Sequence, residues 1–334
     1  MNAELRTELR KRLNYLSTPR DWVVDADCHL TDTTNLSGPI LEKYRSQNNY
    51  YHGRPINAAE LIAEMDMAAV DLALIWQNPA ATPVTGDMDA NTAALLAANR
   101  AIADSANRYD TRLLPAGWTD PRNCGLEGAM HVVEVCVREL GFPVVKLNPA
   151  QNAYPLDSDP VIAVVDHILK LGAIPAFHFG ADTGYTPASA LARVARHCGS
   201  QRVVAVHMGG GGASYPDQEA LCQEARLLGL ELPNIFYIQS AKRDTHCESD
   251  FITYTLHGAP AVNNIAIGSD APYGRMSWNF GGYRALFASL RDPRHPDERL
   301  RGRAEIFTRA ERGFMGNNVV KLYTSALENL LKTS

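Results

Sequence analysis

Eight short apolar runs of β type, most followed by a longer stretch with helical patterning, constrain this chain more than any other feature. The runs fall at residues 22–27, 71–76, 113–118, 144–147, 174–179, 203–207, 235–239 and 265–269. Most are continuously apolar, as expected when both faces of a strand are buried in a parallel sheet. Helix-like stretches lie between them, at residues 90–108, 126–140, 160–171, 187–198 and 218–230 among others. Eight strand–helix units in a chain of 334 residues fit an α/β fold of the (β/α)8 TIM-barrel type. An open, doubly wound sheet is the alternative. The barrel fits better, because polar residues of metal-ligand type stand at the ends of runs one, five, six and eight. In a barrel those ends converge on one mouth, whereas in an open sheet the outermost would lie far apart.

The first of these ends is the segment VVDADCHL, which carries Asp25, Asp27 and His29 at alternate positions. Alternate residues of a strand share a face, so the three side chains point the same way, and Cys28 points behind them. PAFHFG then brings His178, VVAVHMGG brings His207 and IAIGSD brings Asp270. Divalent metals need carboxylates and neutral imidazoles held at about 2 Å by several elements at once. Asp27, His29, His178 and Asp270 supply two of each. Singly, each has an ordinary alternative: His178 as a satisfied core histidine, Asp270 before Ala-Pro as a turn residue. Together with His207 they read as a metal centre.

A net charge of −5 argues against general nucleic-acid binding and carries no membrane-surface signal. The opening MNAELRTELRKRL is charged and helical in pattern, without the apolar core of a signal peptide, and no apolar stretch is long enough to span a bilayer. The six cysteines lie far apart without a C-x-x-C pair and read as reduced thiols of a cytoplasmic protein. Leu5, Leu9, Leu13 and Leu16 fall on one helical face. Residues 1–20 therefore read as a helical arm packed on the barrel or on a neighbouring subunit, and residues 21–334 as one barrel domain. A long insertion at residues 30–57 follows strand one, on the side where a barrel of this type does its chemistry.

Weaker features remain. The glycines at 209–212 could cradle a phosphate or simply turn the loop away from the mouth. Trp76, Trp118, Phe179 and Tyr273 could wall a flat substrate or pack in the core. Lys242, Arg243 and Arg275 could bind a substrate carboxylate or face solvent.

The motifs VVDADCHL, AELIAEMDMAAVDLALI, RLLPAGWTDPR, GFPVVKLNP, PAFHFG, VVAVHMGG, IAIGSDAPYG and FMGNNVVKLY run in order along nearly the whole chain. In them the chain resembles the amidohydrolase superfamily, in the amidohydrolase-related branch that includes aminocarboxymuconate semialdehyde decarboxylase. The resemblance implies a metal-dependent (β/α)8 barrel with Asp27, His29 and His178 as ligands. Asp270 would bind or face the metal and shuttle the proton, and His207 would polarise a substrate oxygen. It also implies a homodimer acting on a small molecule. Lys146 in VVKLNP stands where binuclear relatives carry a carbamylated lysine. One divalent ion is expected here, Zn²⁺ first and Mn²⁺ second, with Lys146 a pocket cation or structural partner. Two departures matter. The usual H-x-H of strand one begins here with Asp27, and Asn148 replaces the histidine of a KLHP-like run.

Two reactions fit. In hydrolysis, a metal-activated water attacks an ester, lactone or amide carbonyl while Asp270 manages the proton. In non-oxidative decarboxylation, the metal chelates a carboxylate and a neighbouring oxygen while Asp270 protonates the carbon that loses carbon dioxide. Hydrolysis ranks first on the sequence alone, for want of a clear carboxylate clamp. A carboxy-lyase is the alternative, with Lys146, Trp76, Trp118, Tyr273 and Arg275 as substrate contacts in either case. A metal-free barrel serving as a binding protein is the reading from another class.

Overall fold

The computed structural model describes residues 1–34, 36–46, 53–82, 84–180, 184–210 and 219–333. Among the described residues, nine parallel strands in two hydrogen-bonded runs make up the barrel wall. β1 (Val24–Leu30), β2 (Leu72–Gln77) and β3 (Leu113–Pro115) form the first run. β4 (Gly117–Trp118), β5 (Val144–Leu147), β6 (Ile174–Gly180), β7 (Val203–Gly209), β8 (Ile235–Gln239) and β9 (Ile265–Ile267) form the second. β3 and β4 are two pieces of one barrel strand, divided at Ala116, whose N–H donates to Ile75 O at 3.0 Å. The wall therefore has eight positions. It closes where Cys28 bridges Ala271 in parallel, with His29 N donating to Ala271 O at 2.6 Å.

Every residue of β1, β2, β5, β7 and β8 is buried. Inward side chains fill the barrel and outward ones meet the helices, so both faces demand apolar residues. That is the physical content of the continuous runs.

Around the wall lie α1 (Ala3–Leu16), α2 (Gly38–Ser46), α3 (Ala58–Ala68), α4 (Met88–Arg108), α5 (Gly125–Glu134) and α6 (Asp159–Lys170). They are followed by α7 (Ala188–His197), α8 (Glu219–Glu231), α9 (Asp244–His257), α10 (Met276–Arg291), α11 (Ala304–Met315) and α12 (Asn317–Thr333). Asn2 caps α1, its Oδ1 accepting from Leu5 N at 2.8 Å. α1 packs on α12, Leu9 and Leu16 are buried, and Leu5 and Leu9 lie over Gly141, so the leucine face of the arm lies on the barrel itself.

Strand one runs three residues further than its apolar pattern suggests, to Leu30, so Asp27 and His29 are strand residues. The 30–57 insertion is not all loop: it holds α2 and leads into α3 through a capping box of Asn57 and Glu60. Its far end is pinned by Gly53 N donating to Pro272 O at 2.8 Å, two residues beyond Asp270. Among the described residues, no helix is long and apolar enough to cross a membrane. All six cysteines are unbridged and buried.

Candidate metal centre

Asp27 and His29 alternate on β1, but the strand slips by one residue against β2 between Asp25 and Cys28. Strict alternation therefore does not carry Asp25 onto their face, where the sequence reading placed it; its carboxyl is reached by the Cys28 thiol instead. Asp27 is fully buried. Its Oδ1 accepts from Trp76 Nε1 at 3.0 Å and from Lys146 Nζ at 3.3 Å, and its Oδ2 accepts from Ser240 Oγ at 2.7 Å. His29 Nδ1 sits 2.8 Å from Gln77 O. A carbonyl only accepts, so Nδ1 carries the proton and Nε2 presents a lone pair. That lone pair faces Asp27 Oδ1 at 3.7 Å and Asp270 Oδ1 at 3.5 Å. Asp27, His29 and Asp270 can each offer one donor atom with all three atoms within 4.8 Å of one another.

His178 stands outside this trio and is paired with His207. Its Nδ1 lies 3.1 Å from His207 Nε2, and His207 Nδ1 lies 2.8 Å from Ser240 Oγ. Hydrogen-bond bookkeeping orients the whole chain. Ser240 donates to the Asp27 carboxylate, so its lone pair receives the His207 Nδ1 proton. His207 Nε2 is then an acceptor for the His178 Nδ1 proton, which leaves a lone pair on His178 Nε2. Burial pushes the His207 imidazole down to about 4, with His178 and Lys146 adding to the effect and Asp270 and Asp27 partly opposing it.

Burial alone would raise the Asp27 carboxyl. The Lys146 ammonium, with His207 and His29, more than offsets this and holds it below the usual carboxylate range. Asp25, one turn of the pleat below, has no such cation. Burial pushes its carboxyl up to about 7, against the hydrogen bonds it receives from Ser269 and Asp27.

Two pieces of backbone at the centre adopt left-handed conformations in residues other than glycine. His207 has φ 76°, Met208 φ 46° and Asp270 φ 57°. Such strain persists only where the surroundings hold it. Met208 O accepts from Lys242 Nζ at 2.9 Å, and Asp270 O accepts from Tyr273 N at 2.7 Å and Gly274 N at 2.9 Å.

The residues read as substrate contacts divide. Lys146 is buried, with its Nζ 4.9 Å from the Trp76 ring centre and 5.2 Å from that of Trp118. Trp118 and Tyr273 also pack edge-on against His29, at 5.8 and 5.7 Å, and the Tyr273 hydroxyl donates to Asn78 Oδ1 at 2.8 Å. Arg275 does not join the cluster: it reaches Glu64 on α3 at 3.5 Å and lies over Trp278. Lys242 is not a surface cation either. It is buried against Asp250 at 2.5 Å, which Arg226 and Gln239 also engage, at 2.5 and 2.6 Å. Phe179 packs beside Tyr237 in the core. Of the glycine run, 211 and 212 lie outside the described residues, as do the insertion's residues 47–52.

Ser240 and Gln77, which orient His207 and His29, had no readable signal, since a serine or a carbonyl at a strand end is common.

The donor set fits a divalent ion. An imidazole lone pair and two carboxylates face one another at 3.7 and 3.5 Å. Such an arrangement of electron pairs calls for a cation, and mixed nitrogen and oxygen donors suit Zn²⁺ or Mn²⁺.

Comparison with known proteins agrees with this architecture. The chain belongs to the amidohydrolase family, whose model matches residues 24–251, more than half of the chain. No curated protein matches it significantly. An uncharacterised TIM-barrel protein of Bordetella bronchiseptica is similar in fold, at a TM-score of 0.63 and 14% identity over 91% of this chain and 99% of that one. So is a 5-carboxyvanillate decarboxylase of Novosphingobium aromaticivorans, solved with manganese and 4-hydroxy-3-methoxy-5-nitrobenzoic acid. There the TM-score is 0.60 and the identity 15%, over 90% of this chain and 96% of that one. A 4-oxalomesaconate hydratase of Rhodopseudomonas palustris gives a TM-score of 0.55 and 16% identity over 93% and 98%. The chain is a (β/α)8-barrel member of the amidohydrolase family.

Proposed function

We propose that this protein is a metal-dependent carboxy-lyase that removes carbon dioxide, without oxidation, from a small aromatic or unsaturated acid. Asp27, His29 and Asp270 hold one divalent ion in this reading, with His178 linked to Asp27 through His207 and Ser240. The observation that carries the choice of reaction is the Lys146 ammonium 3.3 Å from Asp27. On the sequence alone, two carboxylates cancel a divalent charge. With Lys146 counted, the centre keeps one positive charge, and a substrate that brings its own carboxylate matches it. This moves the carboxy-lyase ahead of the hydrolase.

The bound ion would supply the charge that chelates a substrate carboxylate and its neighbouring oxygen. Asp270 is the open member of the trio, 15% exposed against 4% for His29 and 0% for Asp27. Once the substrate has brought its own carboxylate, Asp270 takes up a proton from solvent and delivers it to the substrate carbon as the bond to the carboxylate breaks. The electron pair of that bond stays on the carbon, takes the proton, and carbon dioxide leaves neutral. Neutral His207, held by Ser240, keeps the His178 imidazole in one orientation throughout. The solved decarboxylase of like fold, with its manganese and aromatic acid, supports this reading.

The test is turnover of hydroxybenzoates by Mn²⁺- or Zn²⁺-loaded protein in D₂O. One carbon dioxide and one deuterium at the vacated carbon are expected per product, with both lost in Asp270→Asn. Cleavage of lactones, esters or amides that depends on metal and Asp270 and releases no carbon dioxide would restore the hydrolase.

A further inference from the structure

All three members of the donor trio come from two neighbouring segments, β1 and the residues following β9. Their geometry is therefore set at the one seam where the barrel closes. The other neighbours in the wall are joined by runs of register pairs. At this seam, among the described residues, the only bridge is Cys28 with Ala271.

A side chain supplies the next tie. Asp25 Oδ1 accepts from Ser269 N at 2.9 Å and from Asp27 N at 3.1 Å. Ser269 immediately precedes Asp270. One oxygen thus holds the main chain beside a donor on each side of the seam. The carboxyl group is fully buried, with the Ser269 hydroxyl and the Cys28 thiol also in reach of it, so the hydrogen bonds that converge on it offset the cost of its burial.

Gly268 adds an independent observation. A Cβ there would stand 2.8 Å from Asp27 Cβ, 2.9 Å from Asp27 N and 3.3 Å from Asp25 Oδ1. The strands approach so closely at this point that only glycine fits.

We infer that Asp25 is a positioning residue of the metal centre: by tying the Asp27 and Ser269 N–H groups to one oxygen, it fixes the spacing of Asp27, His29 and Asp270. The inference rests on the metal-centre reading above. It assigns Asp25 no contact with the ion or with substrate.

The test measures Zn²⁺ affinity by competition with a chromophoric chelator, and the visible spectrum of the Co²⁺ form, on metal-stripped wild type, Asp25→Asn, Asp25→Ala and Gly268→Ala. Asparagine keeps the Oδ1 acceptor, so Asp25→Asn should match wild type in affinity and spectrum. Asp25→Ala should bind at least roughly tenfold more weakly, the usual scale for loss of a group that orients ligands, with an altered spectrum. Gly268→Ala forces the seam apart with Asp25 in place and should weaken binding in the same way, which covers an Asp25→Ala chain that does not fold. A purely structural role would lower the melting temperature of Asp25→Ala while leaving affinity and spectrum of the folded protein at wild-type values, and that result overturns the inference. So does an Asp25→Asn protein as impaired as Asp25→Ala, since charge would then matter and not the acceptor. A wild type that takes up no metal overturns the metal centre itself and this inference with it.

Discussion

Lys146 Nζ lies 3.3 Å from Asp27 Oδ1, sealed between the rings of Trp76 and Trp118. Both partners are buried, at 1% and 0% side-chain exposure, so each depends on the other to offset the loss of water. The two indole faces add a weaker attraction for the ammonium. The pair gives the carboxylate at position 27 a role a neutral histidine could not fill, since a histidine there would leave Lys146 without its counter-charge.

Lys146→Met removes that counter-charge and leaves a buried carboxylate. The metal-free protein should lose about 3–5 kcal/mol of stability, the range for breaking one partner of a buried ion pair. Added Zn²⁺ should recover much of the loss, because a divalent ion supplies the missing charge. Urea unfolding of the variant with and without metal checks this, and an equal loss in both states counts against it.

Asp270→Asn and His29→Ala should part company. The asparagine variant keeps a weak oxygen donor but cannot deliver a proton. It should retain metal while its turnover falls by about 10²–10⁴, the span of general acid catalysis. His29→Ala removes the only nitrogen of the trio and should bring metal content well below one ion per chain. Metal analysis and rate measurement on the same preparations give both readouts.

Ser240→Ala cuts the hydrogen-bond chain from His178 to Asp27 and frees His207 to turn. Turnover or metal affinity should drop by roughly 10–100-fold, as for other groups that orient ligands. Ser240→Thr keeps the hydroxyl and should recover part of the loss. The steady-state rates of the two variants at one metal concentration decide the matter.

Lys242→Met tests the buried cluster that holds Met208 O and, through it, the left-handed turn at His207. About 3–5 kcal/mol of stability should be lost, with Asp250 left to Arg226 and Gln239. A carboxylate clamp at Lys242 would instead raise KM at unchanged stability. Urea unfolding beside a KM measurement separates the two.

Much of this was legible along the chain. Continuous apolar runs separated by helical stretches announce a parallel sheet covered on both faces, and the structure is such a barrel. Asp27, His29, His178, His207 and Asp270 stand on the strands or just past their ends as read, because strand alternation and the chemistry of the side chains are local properties. Alternation also put Asp25 on that face, but β1 slips by one residue between Asp25 and Cys28, and nothing in the sequence showed that the Asp25 carboxyl would take the N–H groups of Asp27 and Ser269.

Where the reading went astray, long-range packing is the cause. Arg275 and Lys242 look like loop cations in sequence, yet each finds an acid on another element: Glu64 on α3 and Asp250 on α9. The pairing of Lys146 with Asp27 was hidden for the same reason, since the two residues are 119 positions apart.

The sequence by itself determined the barrel class and which residue types stand at its mouth, since both follow from periodicity over a few residues. The tertiary structure alone decided the charge of the centre, the proton direction from His178 to Asp27, and the spacing of the donors. Those depend on pairs such as Ser240 with Asp27, 213 residues apart and brought to 2.7 Å by the packing of the barrel. A hydrogen bond or ion pair is set by tenths of an ångström, and that precision exists only once the wall has closed.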